Sequence, residues 1–77
     1  MAKSLRSRPL ATFGLNARKR REALGITQLK AAERADLDPT YISGIERGVR
    51  NPSLISIARL AKALDVSVSE LCVGVRV

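Results

Sequence analysis

Asp38 and Pro39 together limit how this chain can fold more than any other part of the sequence. An aspartate side chain caps the free amides of a helix, and proline suits the first helical position because its φ angle is already fixed there. The pair therefore predicts a helix that begins at Pro39 and ends at Gly48. Thr27 predicts the start of a preceding helix that runs to Ala35. Two short helices with a very short connection are the expected centre of the fold.

Three further helices are predicted from apolar residues that recur every three or four positions. The first is expected over residues 13–24, the fourth from residue 54 onward, and a short fifth around Leu71. Their boundaries are marked by Thr12 and Gly25 for the first helix, Pro52 and Ser53 for the fourth, and Ser67 and Glu70 for the fifth. No segment has the convincing alternation of a strand, so the predicted fold class is all-α.

A chain of 77 residues has room for one domain with a modest core. Cys72 is the only cysteine and histidine is absent, so we expect no disulfide, no metal, no cofactor and a reducing, cytoplasmic compartment. Signal-peptide and membrane-spanning patterns are not found. We expect a flexible basic arm over residues 1–11, one domain over residues 12–73 and a tail over residues 74–77.

The charge of the chain favours a polyanionic partner. Fourteen lysine and arginine residues stand against seven acidic residues, which gives a net charge of +7. Aromatic residues make up only 3% of the chain, so it lacks the stacking platforms that bind RNA and single strands. Double-stranded DNA is therefore the expected partner.

Four segments, ALGITQ, YISGIERG, RNPSL and LAKALDVSVSEL, follow one another at a characteristic spacing. Through them the chain resembles, from Phe13 to about Cys72, the Cro/repressor-like (XRE-type) helix-turn-helix family. The resemblance implies a compact five-helix bundle of the lambda-repressor-like type, with helices 2 and 3 as the helix-turn-helix. In such motifs the first helix crosses the DNA backbone and the second, the recognition helix, enters the major groove.

Some positions depart from the pattern of that family. Asp36 stands where glycine is usual, because the chain takes a left-handed turn there, which aspartate tolerates better than most residues. Leu29 replaces a polar residue, and is either exposed or a packing variant. Pro39 and Gly44 stand where relatives often carry base-contacting side chains, so we expect DNA shape to supply part of the specificity. The apolar positions that lock the two helices are Ala31, Ala35, Leu37, Ile42 and Ile45.

The resemblance implies base contacts from the recognition helix and the loop after it. The expected residues are Thr40, Tyr41, Ser43, Arg47 and Arg50. Arg47 or Arg50 can make the bidentate contact to guanine, and the Thr40 methyl group can contact thymine. The alternatives are a solvated helix face for Thr40 and Ser43, and packing of the Tyr41 ring on the domain.

Contacts to the DNA backbone are expected from residues that flank this helix, namely Gln28, Thr27, Asn51 and Arg18. Gln28 stands at a helix N-terminus, where amide donors and the helix dipole favour a phosphate. The alternative is a helix-start residue without a ligand. Asn51 follows Arg50 in a segment that resembles the DNA-contact loop of the family. The resemblance also implies an ion pair between Arg21 and Glu46, which would hold the first helix against the recognition helix.

The C-terminal part has more apolar residues than one small core needs, so we expect a homodimer that covers the excess. The expected interface residues are Leu54, Ile55, Val66, Val68 and Leu71, some of which also serve the core. Two-fold symmetry places the recognition helices of such dimers about 34 Å apart, on successive major grooves.

These features predict a transcriptional regulator that binds a pseudo-palindromic operator. The segment TYISGIERGVRNPS resembles controller proteins of restriction-modification systems, which regulate their own operons. An antitoxin or a phage-type repressor shares much of this pattern, and an antitoxin would have a toxin as its main partner. An enzyme is disfavoured because the chain has no histidine, no phosphate-binding glycine loop and no base near Cys72. No membrane partner or small-molecule effector is indicated.

Overall fold

The computed structural model describes residues 7–77, which fold into five α-helices. In chain order they are α1 (Arg8–Ala23), α2 (Gln28–Ala35), α3 (Pro39–Glu46), α4 (Leu54–Ala63) and α5 (Val68–Leu71). These residues contain no β-strand. None of their helices has both the length and the apolar character needed to cross a membrane. The predicted all-α class and five-helix architecture are confirmed.

Each of these helices begins with a side chain that accepts a hydrogen bond from an amide of the first turn. The N-cap residues are Ser7, Thr27, Asp38, Ser53 and Ser67. At α5 the cap is reciprocal, because Glu70 accepts a hydrogen bond from the Ser67 amide at 2.9 Å, and this bond lowers the pKa of Glu70. Such caps satisfy amides that have no partner inside the helix. The starts of α2 to α5 agree with the sequence signals.

The predicted start of α1 is wrong. The helix begins at Arg8 rather than after Thr12, and its cap is Ser7, whose hydroxyl accepts a hydrogen bond from the Leu10 amide at 3.3 Å. Pro9 lies in the first turn, so the same combination of cap and proline that starts α3 also starts α1. Residues 8–11, expected in a flexible arm, are therefore helical. The preceding part of that arm, residues 1–6, lies outside the described residues.

A residue in the left-handed conformation ends each of the first four helices. These residues are Gly25 (φ 71°), Asp36 (φ 55°), Gly48 (φ 75°) and Asp65 (φ 58°). The amide that follows each of them bonds back to a carbonyl of the last helical turn, as Val49 does to Gly44 at 2.9 Å. These bonds satisfy carbonyls at the helix end and turn the chain sharply. The connections between the helices are therefore short.

The core combines large side chains with alanines. The most deeply buried large side chains are Ile42, Ile45, Leu60, Leu64 and Leu71. Between them lie Ala17, Ala31, Ala32 and Ala61, which are at most 3% exposed. Small residues allow the helices to approach closely, so that a short chain reaches a dense interior.

Gly14 lies where α1 passes close to the end of α3. A Cβ atom on this residue would collide with the carbonyl oxygen of Ile45 and lie 2.8 Å from that of Glu46. The absence of a side chain is therefore required by the neighbouring backbone. This contact sets how near α1 lies to the recognition helix.

Polar side chains of α1 bind the ends of α4 and α5. The Asn16 Nδ2 donates to the carbonyls of Leu71 at 2.9 Å and Val73 at 2.8 Å. The Arg20 Nε donates to the Leu64 carbonyl at 2.9 Å. Carbonyls at a helix C-terminus lack intrahelical partners and favour a nearby positive charge. Part of the basic character of α1 thus serves the fold.

Introducing glycine at a left-handed helix end and removing it from one are expected to change stability in opposite directions. Asp36→Gly and Asp65→Gly each raise the free energy of unfolding by about 0.5 kcal/mol, because glycine adopts the left-handed conformation without steric strain. Gly25→Ala lowers it by about 1 kcal/mol, although the added Cβ meets nothing within 4 Å. Urea unfolding followed by circular dichroism measures the three variants. Changes of the same sign in all of them would contradict this explanation.

Candidate nucleic-acid interface

The connection between α2 and α3 is a helix-turn-helix turn. Asp36 has the expected left-handed conformation, with φ 55° and ψ 47°. The Leu37 amide then bonds to the Ala32 carbonyl at 3.0 Å. Asp38 caps α3 by accepting a hydrogen bond from the Thr40 amide at 2.7 Å. The side chains that lock the two helices are Ala31, Ala35, Ile42 and Ile45, each at most 3% exposed, together with the partly buried Leu37.

Arg21 and Glu46 form a two-point ion pair between α1 and α3. The Arg21 Nε donates to Glu46 Oε2 at 2.7 Å and its Nη2 donates to Oε1 at 3.0 Å. The Arg21 Nη1 donates to the Ile26 carbonyl at 2.8 Å. The side chains are only 13% and 5% exposed, and the hydrogen bond to Glu46 raises the pKa of Arg21 against the opposing effect of burial. The pair that the resemblance implies is thus present, and its parallel bonds fix both side chains.

Gln28 is a third member of this cluster. Its Nε2 donates to Glu46 Oε1 at 3.0 Å. Because Gln28 is the first residue of α2, the Glu46 carboxylate joins α1, α2 and α3 at one point. Sequence reasoning assigned Gln28 to a phosphate and missed this bond.

A cleft of about 550 Å³ opens beside this cluster. Its lining residues are Arg18, Arg21, Gln28, Ser43, Glu46, Arg47 and Val49. Arg18 and Gln28 were predicted to contact the DNA backbone. Ser43 and Arg47, predicted to contact bases, line the same cleft, and the Arg47 Nε donates to the Ser43 hydroxyl at 3.4 Å. Residues 7–77 contain no group of side chains suited to a metal ion.

Three other predicted base contacts lie around a second, more open depression. It is lined by Asp38, Thr40, Tyr41 and Arg50. The guanidinium carbon of Arg50 lies 5.0 Å from the centre of the Tyr41 ring, within reach of a cation–π attraction. Tyr41 also packs against the core, as the alternative interpretation of this residue expected. Thr40 and Arg50 are exposed.

Thr27 and Asn51, the remaining predicted backbone contacts, do not line either of these two depressions. Thr27 is exposed at the N-cap of α2, where its hydroxyl accepts a hydrogen bond from the Lys30 amide at 3.0 Å. Asn51 borders an apolar groove beside Pro9 and Leu10 of α1. Asn51 thus lines neither depression, although it directly follows Arg50 in the chain.

The residues predicted for a dimer interface differ in exposure. Leu54 and Ile55 on α4 are 71% and 64% exposed. Val66 and Val68 are half-buried and pack against the core. The assignment of Leu71 to an interface is wrong, because this side chain is only 1% exposed within its own chain. The sequence pattern alone does not distinguish an apolar residue that packs in the core from one that contacts another subunit.

The basic run at the end of α1 divides between surface and interior. Arg18 and Lys19 are exposed, whereas Arg20 and Arg21 bind groups of the fold. The sequence contains a signal for this division, because positions 20 and 21 lie three and four residues after the buried Ala17, on the same helix face.

Leu29 is 60% exposed, so of the two interpretations of this residue the exposed apolar side chain is correct and the packing variant is not.

Removing the charge of Glu46 is expected to destabilise the protein far more than removing that of Glu22. Glu46→Gln leaves the largely buried Arg21 side chain without its counter-charge. It is expected to lower the free energy of unfolding by about 2 kcal/mol. Glu22 pairs with Arg18 at 3.2 Å on the surface, so Glu22→Gln is a matched control with a loss below about 1 kcal/mol. Urea unfolding at pH 7 compares the variants, and equal losses would contradict a structural role for Glu46.

The sequence is similar to those of several known proteins. The helix-turn-helix family matches residues 18–71. The control protein C.MunI of Mycoplasma sp is 40% identical over 60 residues, which cover 77% of this chain and 81% of that protein. For the control protein C.BamHI of Bacillus amyloliquefaciens the identity is 45% over 60 residues, which cover 77% of this chain and 74% of that protein.

Solved structures give the same result. The crystal structure of the restriction-modification controller protein C.AhdI from Aeromonas hydrophila matches with a TM-score of 0.79 and 45% identity. The match covers 80% of this chain and 94% of that one. The chain belongs to the XRE-type helix-turn-helix family of DNA-binding transcription regulators.

Proposed function

We propose that this protein is a regulator of the restriction-modification controller type, which binds a pseudo-palindromic operator as a homodimer and regulates its own operon. The observation that carries the proposal is the cleft where predicted base contacts and predicted backbone contacts meet. Relatives named as control proteins, at 40% and 45% identity, support the subtype. In this function the protein acts in the cytoplasm, has no cofactor and catalyses no reaction.

Base contacts are assigned to the exposed side of α3 and to the loop that follows it. Arg47 and Arg50 each offer a planar guanidinium, which matches the O6 and N7 acceptors of guanine. Thr40 offers its methyl group to thymine, and the Ser43 hydroxyl can donate or accept a hydrogen bond. Tyr41 contributes its ring and its hydroxyl.

Phosphate contacts are assigned to the start of α2 and to its surroundings. Thr27 and Gln28 stand where free amides and the helix dipole favour an anion. Arg18 adds a positive charge beside the same cleft, and Asn51 is assigned to the loop on the other side of α3. Because Arg21 neutralises Glu46, the carboxylate in this cleft does not repel the DNA.

Leu54 and Ile55 are assigned to the homodimer interface, with Val66 and Val68 beside them. Adjacent exposed apolar side chains favour coverage by another chain, and two identical chains do so with two-fold symmetry. That symmetry would separate the two α3 helices by about 34 Å, the repeat of the major groove. A pseudo-palindromic operator follows from the same symmetry.

The proposal is tested by retaining sheared DNA of the host on the protein at about 150 mM salt, where non-specific binding is weak. Sequencing of the retained fragments is expected to give a two-fold symmetric site upstream of the gene for this protein. The absence of any enriched sequence would contradict the proposal and favour an antitoxin, whose main partner is a toxin. An enriched site far from its own gene would contradict autoregulation.

Arg47→Ala is expected to weaken binding to the operator more than binding to random DNA, by about 1–3 kcal/mol, because it removes a base contact. Gln28→Ala is expected to weaken both by similar amounts, because a backbone contact is independent of base sequence. It should leave the salt dependence of affinity nearly unchanged, since glutamine is neutral and displaces no counterion. Fluorescence anisotropy at several salt concentrations measures both effects. Equal losses on the two DNAs for the two variants would contradict this division.

Leu54→Glu is expected to convert the dimer to a monomer, because it puts a charge into an apolar interface. Leu29→Glu is a matched control, since Leu29 is also a largely exposed leucine, at 60%, and lies on α2 outside the proposed interface. Sedimentation velocity without DNA measures the oligomeric state. A Leu54→Glu variant that stays dimeric, or a Leu29→Glu variant that dissociates, would contradict the assigned interface.

A further inference from the structure

Gly44 lies in the recognition helix α3, and the side chain of Arg50 covers it. A Cβ atom on Gly44 would collide with the Cγ of Arg50 and lie 3.3 Å from its Cδ. Gly44 is buried although it has no side chain of its own. Its φ is negative, so the backbone conformation does not require glycine there. The space that the missing side chain leaves is the space that the stem of Arg50 occupies.

The end of the same arginine lies on Tyr41. Tyr41 precedes Gly44 by three residues, which puts both on one face of α3. The Arg50 guanidinium carbon is 5.0 Å from the centre of the Tyr41 ring, and the ring itself packs against the core. A half-buried aromatic ring therefore provides a fixed platform for the guanidinium.

The loop that carries Arg50 is itself bound to α3. The Gly48 amide donates to the Ile45 carbonyl at 3.0 Å, and the Val49 amide donates to the Gly44 carbonyl at 2.9 Å. These bonds hold the backbone just before Arg50 against the end of the helix. Contacts with α3 thus position both the backbone just before Arg50 and the guanidinium at the end of its side chain.

We infer that Gly44 and Tyr41 are positioning residues that hold Arg50 across α3, where it supplies a guanine contact that α3 lacks at position 44. A guanidinium with one face on a ring keeps its N–H edges available for in-plane bonds to the O6 and N7 of guanine. An arginine that is ordered before binding loses less rotamer freedom when the DNA arrives. The inference rests on the proposed function, because it names the specificity determinant of that interface.

The test begins with a randomised pool of double-stranded DNA, from which the wild-type protein selects its preferred site. The discrimination ratio is the Kd for a site with one changed base pair divided by the Kd for the preferred site. It is measured at every position for the wild type, Arg50→Ala, Gly44→Ala and the double variant. At one guanine in each half-site, Arg50→Ala is expected to lower the ratio roughly tenfold. Gly44→Ala should lower it at the same guanine, and should add nothing when Arg50 is already absent.

Each outcome of this cycle decides the inference. If Arg50→Ala leaves the preference unchanged at all positions, Arg50 is not a specificity determinant and the inference fails while the proposed function stands. If Gly44→Ala leaves the ratio unchanged while Arg50 is present, or lowers it equally with and without Arg50, the positioning role of Gly44 is overturned. If the wild type selects no sequence, the proposed function fails and the inference fails with it.

A second measurement needs no DNA. The ring of Tyr41, the only tyrosine in the chain, should shift the Hγ and Hδ resonances of Arg50 upfield in the NMR spectrum. Gly44→Ala and Tyr41→Leu are expected to abolish this shift, and Tyr41→Phe to retain it because the ring remains. Gly44→Ala should not lower the melting temperature, since alanine favours a helix more than glycine does. An unchanged Arg50 shift in Gly44→Ala would overturn the positioning role.

Discussion

The carboxylate of Glu46 is the group on which the arrangement of the DNA-binding helices depends. A carboxylate on a side chain that is 5% exposed is stable only if its hydrogen bonds are satisfied by fixed partners. Arg21 from α1 and Gln28 from α2 supply them, so that three helices meet at one charge. Gly14 sets the distance between α1 and α3, because no side chain fits there. The cleft proposed to receive DNA inherits its shape from these contacts.

The basic residues of the chain serve two purposes. Arg20 and Arg34 donate to carbonyls near the end of α4, and Arg59 donates to the Asp36 carbonyl in the helix-turn-helix turn. These bonds complete helix ends that would otherwise lack partners. The net charge of +7 therefore includes positive groups that hold the fold together, and the distribution of the charge says more about DNA binding than its total.

The sequence predicts best what depends on neighbouring residues. Caps such as Thr27 and Asp38 act within a few residues, so their helix starts were correctly expected, whereas Thr12 offered a false cap after the true one at Ser7. The left-handed turn at Asp36 and the Arg21–Glu46 pair followed from the family resemblance. The position of Leu71 depends on tertiary packing, which the pattern of apolar residues leaves open.

The contacts around the recognition helix were also harder to predict, because they too depend on tertiary packing. The Gln28–Glu46 hydrogen bond joins residues from different helices. The stacking of Arg50 on Tyr41 requires a loop side chain to turn back over the helix. In the sequence, Gly44 indicated only that a base-contacting side chain is absent there, and not that Arg50 fills its place. Such contacts depend on the direction of a side chain in the folded molecule, for which no local rule exists.

The left-handed residues that end the helices also affect how fast the protein forms. They keep the connections short, and the hydrogen bonds that close each helix join residues only three to five positions apart. Helical chains dominated by local contacts fold within roughly microseconds to milliseconds, because little loop-closure entropy must be lost before native contacts form. Folding of the single chain is therefore not a slow step between its synthesis and its binding to DNA.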